Sequence, residues 1–160
     1  MARVFEASRA IFIPARGGHP KNAEYRVAVG YEQWETPVEV SKVQMVYNGG
    51  VAGMLSPSFP VGELDEKAVV FALELLKNRK YGTDSKTIKD VLVLEKVPEG
   101  TSIDSIIEKK LDELEEMTQS IFASKRKPQI VIADVDPVEH FELEDSVYAF
   151  LFRVQVSKSS

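Results

Sequence analysis

Residues 43–77 read VQMVYNGGVAGMLSPSFPVGELDEKAVVFALELLK, and this one stretch contains the patterns of a strand, a turn, a second strand, a loop and a helix. Two short apolar segments flank Asn48-Gly49, and both turn residues tolerate the positive φ angles of a type I′ turn. We therefore predict a β-hairpin with strands at 38–47 and 51–55. A loop containing two prolines, residues 56–62, leads from the hairpin into the helix.

The helix predicted at residues 65–79 is apolar around most of its circumference. One stripe and its extension to either side are made of Val69, Ala72, Leu73, Leu76, Ala68, Phe71 and Leu75. A helix of this kind is covered on more than one side. Two alternatives follow: the helix is the central layer of a monomer, or a second copy of the chain docks against it.

Outward from this stretch, alternating or continuous apolar patterns predict further strands at 3–13, 25–31, 91–94, 129–135 and 147–156. We expect Asp136-Pro137 to be a turn and residues 157–160 to be a frayed tail. A second helix is predicted at 101–124, where Thr101 and Asp104 have the spacing of a capping box and the apolar residues form a single stripe.

These elements predict one globular α+β domain over residues 1–160. Its sheet is expected to be mixed, largely antiparallel and made of about six or seven strands, with the two main helices packed on one of its faces. A chain of 160 residues is long enough to bury such a core without disulfides.

Composition excludes several classes of function. The chain has no cysteine, so disulfides and zinc or iron–sulfur sites with cysteine ligands are excluded. The net charge of −5 argues against nucleic acid or an anionic membrane as partner. The first residues carry charges and lack the apolar segment of a secretory signal, and no run approaches the ~20 apolar residues of a membrane span. We expect a cytoplasmic protein.

An acidic segment at residues 134–145 is one candidate site. Carboxylates that follow a buried strand can converge on a hard cation. Asp134, Asp136 and His140 are the candidate ligands for a divalent metal, and no other cofactor is expected.

Two loops provide candidate ligand-binding residues. Glycine backbone next to basic side chains can cradle a phosphate, which points to Arg16 and His19 around Gly17-Gly18. In the loop after the hairpin, Ser56, Ser58 and Phe59 are placed to line a pocket. The residue inventory also contains a Ser-His-Asp set, Ser58 with His140 and Asp134, but no motif surrounds it.

Two functions remain open from sequence. The first is a protein that acts through protein–protein contact as a homo-oligomer, in the simplest case a homodimer, because the first helix is so apolar and no catalytic motif is present. The alternative is an enzyme or a small-ligand or metal-binding protein that uses the 134–145 segment with His140.

Overall fold

The computed structural model describes residues 5–33, 35–83 and 85–159. Trp34 and the first part of the strand predicted at 3–13 therefore lie outside the described residues. In chain order the elements are β1 (Phe5–Pro14), β2 (Glu24–Glu32), β3 (Val38–Tyr47), β4 (Gly50–Ala52), α1 (Asp65–Leu76), β5 (Ile88–Lys96), α2 (Ile103–Ala123), β6 (Val131–Glu142) and β7 (Val147–Lys158).

All seven strands belong to one sheet in the order β4-β3-β2-β1-β5-β7-β6. The neighbours β1 and β5 are parallel, and the other neighbouring pairs are antiparallel. The predicted α+β fold with a mixed, largely antiparallel sheet is confirmed. None of the helices among the described residues is long and apolar enough to cross a membrane.

The two helices lie on opposite faces of the sheet, so the expectation that both would pack on one face is wrong. Leu92 and Leu94 of β5 belong to the core that includes α1, which we call the α1 face. Val91 and Val93 belong to the core under α2, on the α2 face. A strand that is apolar on both sides needs cover on each, which explains why the helices separate.

The predicted hairpin is present. Asn48 and Gly49 have φ angles of 48° and 82°, and Tyr47 pairs with Gly50 across the turn. The return strand β4 ends at Ala52, earlier than predicted, so this edge of the sheet is short.

Cover for α1 comes from within the chain. The sheet runs along one side of the helix, and Phe71 meets Phe141 of β6 edge to face at 5.1 Å between ring centroids. Val70 is the large apolar residue of α1 that stays exposed, at 56%. The apolar circumference of α1 therefore requires no second copy of the chain.

The C-terminal third differs from the prediction in three places. The strand predicted to end before Asp136 continues as β6 to Glu142, and the chain turns at Asp145 and Ser146, both with positive φ. Strand β7 reaches Lys158, so residues 157 and 158 are paired in the sheet and are not a frayed tail. Helix α2 is capped by Ser102, whose hydroxyl accepts from the Ser105 amide at 3.4 Å, and Thr101 is not the capping residue.

Candidate functional site

A cleft of about 300 Å³ lies on the α2 face, where the C-terminal half of α2 meets the sheet. The helix packs over β6 and β7 and leaves the side nearer β1 and β2 less covered. The apolar walls of the cleft are formed by Phe12, Ile121, Phe122, Val154 and Val156. We call this cavity the α2 cleft.

A buried ion pair forms part of the cleft wall. The Lys89 ammonium lies 2.7 Å from one carboxylate oxygen of Glu24 and 2.9 Å from the other. The Glu24 side chain is 2% exposed and that of Lys89 is 27% exposed. Lys89 also lies over the Phe12 ring, 4.3 Å from its centroid. A carboxylate this deeply buried is tolerated only when a partner neutralises it, and Lys89 does so.

Two further lysines line the cleft, Lys86 and Lys125. Lys125 places its ammonium 4.0 Å from the centroid of the Phe122 ring. No carboxylate among the described residues lies within ion-pair distance of either ammonium. Because Glu24 neutralises Lys89, two positive charges remain in the cleft of a protein whose net charge is −5.

The Asn48-Gly49 hairpin borders this cleft. A Cβ atom on Gly49 would lie 3.0 Å from Cγ2 of Ile121, so the turn and the helix are already in close contact. Asn22, in the β1–β2 loop, donates through Nδ2 to the Ser120 hydroxyl at 2.9 Å and to Asn48 Oδ1 at 3.3 Å. These contacts tie the hairpin and the β1–β2 loop to α2 and hold the cleft at its width.

Most of the predicted ligand-binding residues come together outside the α2 cleft, beside the N-terminus of α1. Their centre is Tyr25, which sequence reasoning missed. Its hydroxyl lies 2.7 Å from Asp65 Oδ2, 2.8 Å from the Ser58 carbonyl oxygen and 3.1 Å from His19 Nε2. Phe59 packs on the Tyr25 ring at 5.3 Å between centroids.

This Tyr25 cluster joins two loops to α1. It is the backbone carbonyl of Ser58 that takes part, while the Ser58 side chain is exposed, as is Ser56. Burial, followed by the hydrogen bond to Asp65, raises the pKa of the Tyr25 hydroxyl well above its usual value, so the group remains a neutral donor. The cavity beside Asp65 measures only about 10 Å³. The cluster therefore stabilises the loops and offers no room for a ligand.

Arg16 is also held by structural contacts. Its guanidinium donates to the Leu94 carbonyl at 2.6 Å and forms an ion pair with Glu95 at 2.7 Å. Lys110 of α2 binds the same Glu95 oxygen at 2.7 Å. Burial opposes ionisation of Glu95, but the hydrogen bond from Lys110 and the charge of Arg16 outweigh it and lower the pKa of this carboxyl. Arg16 therefore has a carboxylate partner and is not poised for a phosphate.

The candidate metal ligands do not converge. In the ladder between β6 and β7, Asp136 lies opposite Arg153 on the α1 face of the sheet, and Asp134 lies on the same face. His140 pairs with Phe150, which lies on the α2 face. A β-bulge between Asp136 and His140 shifts the register by one residue and moves His140 to the other side of the sheet. No group of three or more His, Asp or Glu residues in the described part of the chain is placed to hold a metal ion. The structure therefore does not bring together Asp134, Asp136 and His140 as metal ligands, and it places His140 and Asp134 of the Ser58-His140-Asp134 set on opposite faces of the sheet.

Sequence reasoning missed the residues that define the α2 cleft. Glu24 and Lys89 lie 65 positions apart in the sequence. They come into contact because their strands, β2 and β5, are the two neighbours of β1 in the sheet. A signal did exist in β2, where Glu24 is on the opposite side of the strand from Tyr25 and Val27. That alternation indicates which face of the sheet Glu24 lies on, but it does not identify Lys89 as its ion-pair partner.

Comparisons with known proteins give no match. No protein-family model matches the chain, and no significant similarity is found to a curated protein or to a solved structure.

Proposed function

We propose that this protein binds a small amphipathic anion, a molecule with an apolar body and one negatively charged head group, in the α2 cleft. The observation that carries the proposal is the combination of apolar walls with three ammonium groups and one carboxylate among the described residues that line the cavity. A volume of about 300 Å³ is at the lower end of the range of small-molecule sites.

The apolar body of the ligand is expected to lie against Phe122, Val154 and Val156. Removal of such a surface from water contributes roughly 25 cal/mol per Å² of buried apolar area. Lys89 cannot readily serve the head group, because Glu24 already occupies its ammonium at 2.7 Å. The head group is therefore expected between Lys86 and Lys125, where a charge-assisted hydrogen bond can form at the mouth of the cleft.

Binding is favoured over catalysis by the chemistry of the lining residues. Glu24 is the carboxylate of the cleft and is paired, and no histidine is among its described lining residues. The Thr118 hydroxyl donates to the Leu114 carbonyl of its own helix at 2.7 Å, so no base activates it as a nucleophile.

Octanoate is a suitable anionic probe, and its control is octylammonium, whose alkyl chain is one methylene longer and whose head group has the opposite charge. We expect octanoate to bind, as followed by isothermal titration calorimetry, and octylammonium to bind at least about tenfold more weakly, a difference of about 1.4 kcal/mol. Equal affinity for both probes, or no binding of octanoate, would contradict the proposal.

A matched pair of lysine variants tests the site itself. Lys125→Ala removes an ammonium group of the cleft, whereas Lys127→Ala removes one from the same basic segment but outside the cleft. We expect Lys125→Ala to weaken octanoate binding about three- to tenfold and Lys127→Ala to leave it within about twofold, since exposed charges that do not contact a ligand contribute little. The same loss in both variants would indicate a nonspecific charge effect.

Self-association and a cytoplasmic location remain part of the proposal. Support for the location is the charged composition and the lack of a long apolar helix in the described residues. We propose no nucleic-acid or membrane partner, because the net charge of the chain is negative. Support for self-association comes from a surface other than α1, the free edge of the N-terminal half of β6.

A further inference from the structure

We infer that two copies of this chain form a dimer by pairing the N-terminal half of β6 with itself, antiparallel and centred on Val131. Strand β6 is the outermost strand at one end of the sheet, and with twelve residues it is much longer than β4 at the other end. An edge strand presents unpaired backbone N–H and C=O groups, which another strand can use.

The hydrogen bonds of β7 show which backbone groups face the free edge. The Ser159 amide donates to the Ile130 carbonyl at 3.2 Å, so the backbone of Ile130 faces β7. The Val156 amide donates to the Thr87 carbonyl, on the side of β7 that faces away from β6. Ala133 of β6, which lies opposite Val156, is therefore not hydrogen-bonded to it. Because strand residues alternate, Val131 and Ala133 direct their N–H and C=O groups to the open edge.

The side chains of this segment are apolar and exposed. Ile130 is 82% exposed and Ile132 is 50% exposed. Antiparallel pairing centred on Val131 places Ile130 of each copy opposite Ile132 of the other, on the same side of the extended sheet. The pairing thus buries four exposed isoleucine side chains, two from each copy.

The charges on either side of this segment favour a second copy of the chain as the partner that pairs with this edge. Basic residues 125–127 precede the apolar segment, and Asp134 and Asp136 follow it. Residues 125–127 form a bend just before β6, so antiparallel pairing centred on Val131 directs this basic bend of each copy toward Asp134 and Asp136 of the other. The charge pattern is thus complementary to itself only when the two strands are antiparallel, as twofold symmetry requires.

The C-terminal half of β6 limits the interface. Pro137 and the β-bulge that follows it interrupt a regular edge, and in a pairing centred on this half Glu139 of one copy would repel Glu142 of the other. The Gln129 amide already donates to Phe122. We therefore expect a short ladder and a weak, reversible dimer.

Sedimentation equilibrium of the full chain tests this inference, over concentrations from about 5 to about 500 µM, which bracket dissociation constants typical of weak dimers. We expect a monomer–dimer equilibrium. Ile132→Lys should raise the dissociation constant at least about tenfold, because a lysine on the edge opposes strand pairing. Val51→Lys, on the opposite edge strand β4, is the matched control and should leave it within about twofold.

A charge exchange tests the antiparallel arrangement of the two copies. Arg126→Asp or Asp136→Arg alone should raise the dissociation constant about five- to tenfold, and the double variant should return it to within about twofold of the wild-type value. Circular dichroism melting of each variant verifies that it is folded. A monomer at all concentrations, equal effects of Ile132→Lys and Val51→Lys, or a double variant as weak as the single ones would overturn the inference.

Discussion

Lys89→Met tests whether the wall of the α2 cleft depends on the Glu24–Lys89 pair. The substitution keeps the apolar stem of the side chain but removes the ammonium that lies 2.7 Å from the Glu24 carboxylate. Glu24, at 2% exposure, cannot turn to solvent without moving β2, so an unpaired carboxylate would remain buried.

The expected loss follows from burial. Removal of one member of a fully buried ion pair costs about 3–5 kcal/mol of unfolding free energy. Lys89 is 27% exposed, which screens the pair, and we therefore expect a loss of about 2–3 kcal/mol, including the contact with the Phe12 ring. Glu24→Gln should cost only about 1 kcal/mol, because the freed Lys89 ammonium can extend into the solvent.

Urea unfolding at neutral pH, followed by circular dichroism, measures these differences. Lys89→Met should unfold at a clearly lower urea concentration than Glu24→Gln, and the double variant Glu24→Gln with Lys89→Met should recover part of the loss. A Lys89→Met variant as stable as wild type, or less destabilised than Glu24→Gln, would refute the reasoning.

Three further predictions concern the rest of the fold. Tyr25→Phe should cost about 1–3 kcal/mol of unfolding free energy at pH 7, because it removes a buried donor from Asp65. Above pH 10.0 the raised pKa of the folded Tyr25 hydroxyl makes folding of the wild type progressively less favourable, and the variant should lose less stability there. Glu95→Gln should destabilise at neutral pH, and its difference from wild type should close as the pH falls below about 4.5, since the lowered pKa of Glu95 contributes stability only while the carboxyl is ionised. Gly30→Ala should cost about 3 kcal/mol or more, because its Cβ would overlap the Glu6 carbonyl oxygen beside the β1 bulge. Urea unfolding across pH measures all three; pH profiles parallel to wild type for the first two, or a Gly30→Ala variant of wild-type stability, would contradict them.

Local patterns predicted much of the fold. The Asn48-Gly49 turn needs two positive φ angles, and those angles are present. The strand at 38–47 has the predicted bounds, and the central run at 91–94 is buried on both faces. These features depend on neighbours within a few residues, which is why a sequence reveals them.

The rest depended on contacts distant in the sequence. The apolar circumference of α1 left open whether the same chain or a second copy covers it, and Phe141 of β6 packs against Phe71 of the helix. Nothing in the local sequence of α1 indicates that a strand about 70 residues later in the chain does this.

The positions of the candidate site residues also depend on register and on distant contacts. Asp134 and His140 look like neighbours on one strand, but a one-residue bulge places them on opposite faces. His19, Ser58 and Phe59 do lie together, but around the buried Tyr25 and not around a cavity, and the Arg16 guanidinium is paired with Glu95. Sequence spacing alone does not show where a strand changes register or whether a gathering of polar groups encloses space.

The most direct test of the central proposal is to locate octanoate on the protein by intermolecular nuclear Overhauser effects. We expect contacts from the terminal methyl group of octanoate to the side chains of Phe122, Val154 and Val156, with amide shifts concentrated at Lys86 and Lys125. Contacts at the exposed residues Met54 and Val61 of the loop after the hairpin, or no contacts in the cleft under saturating octanoate, would contradict it.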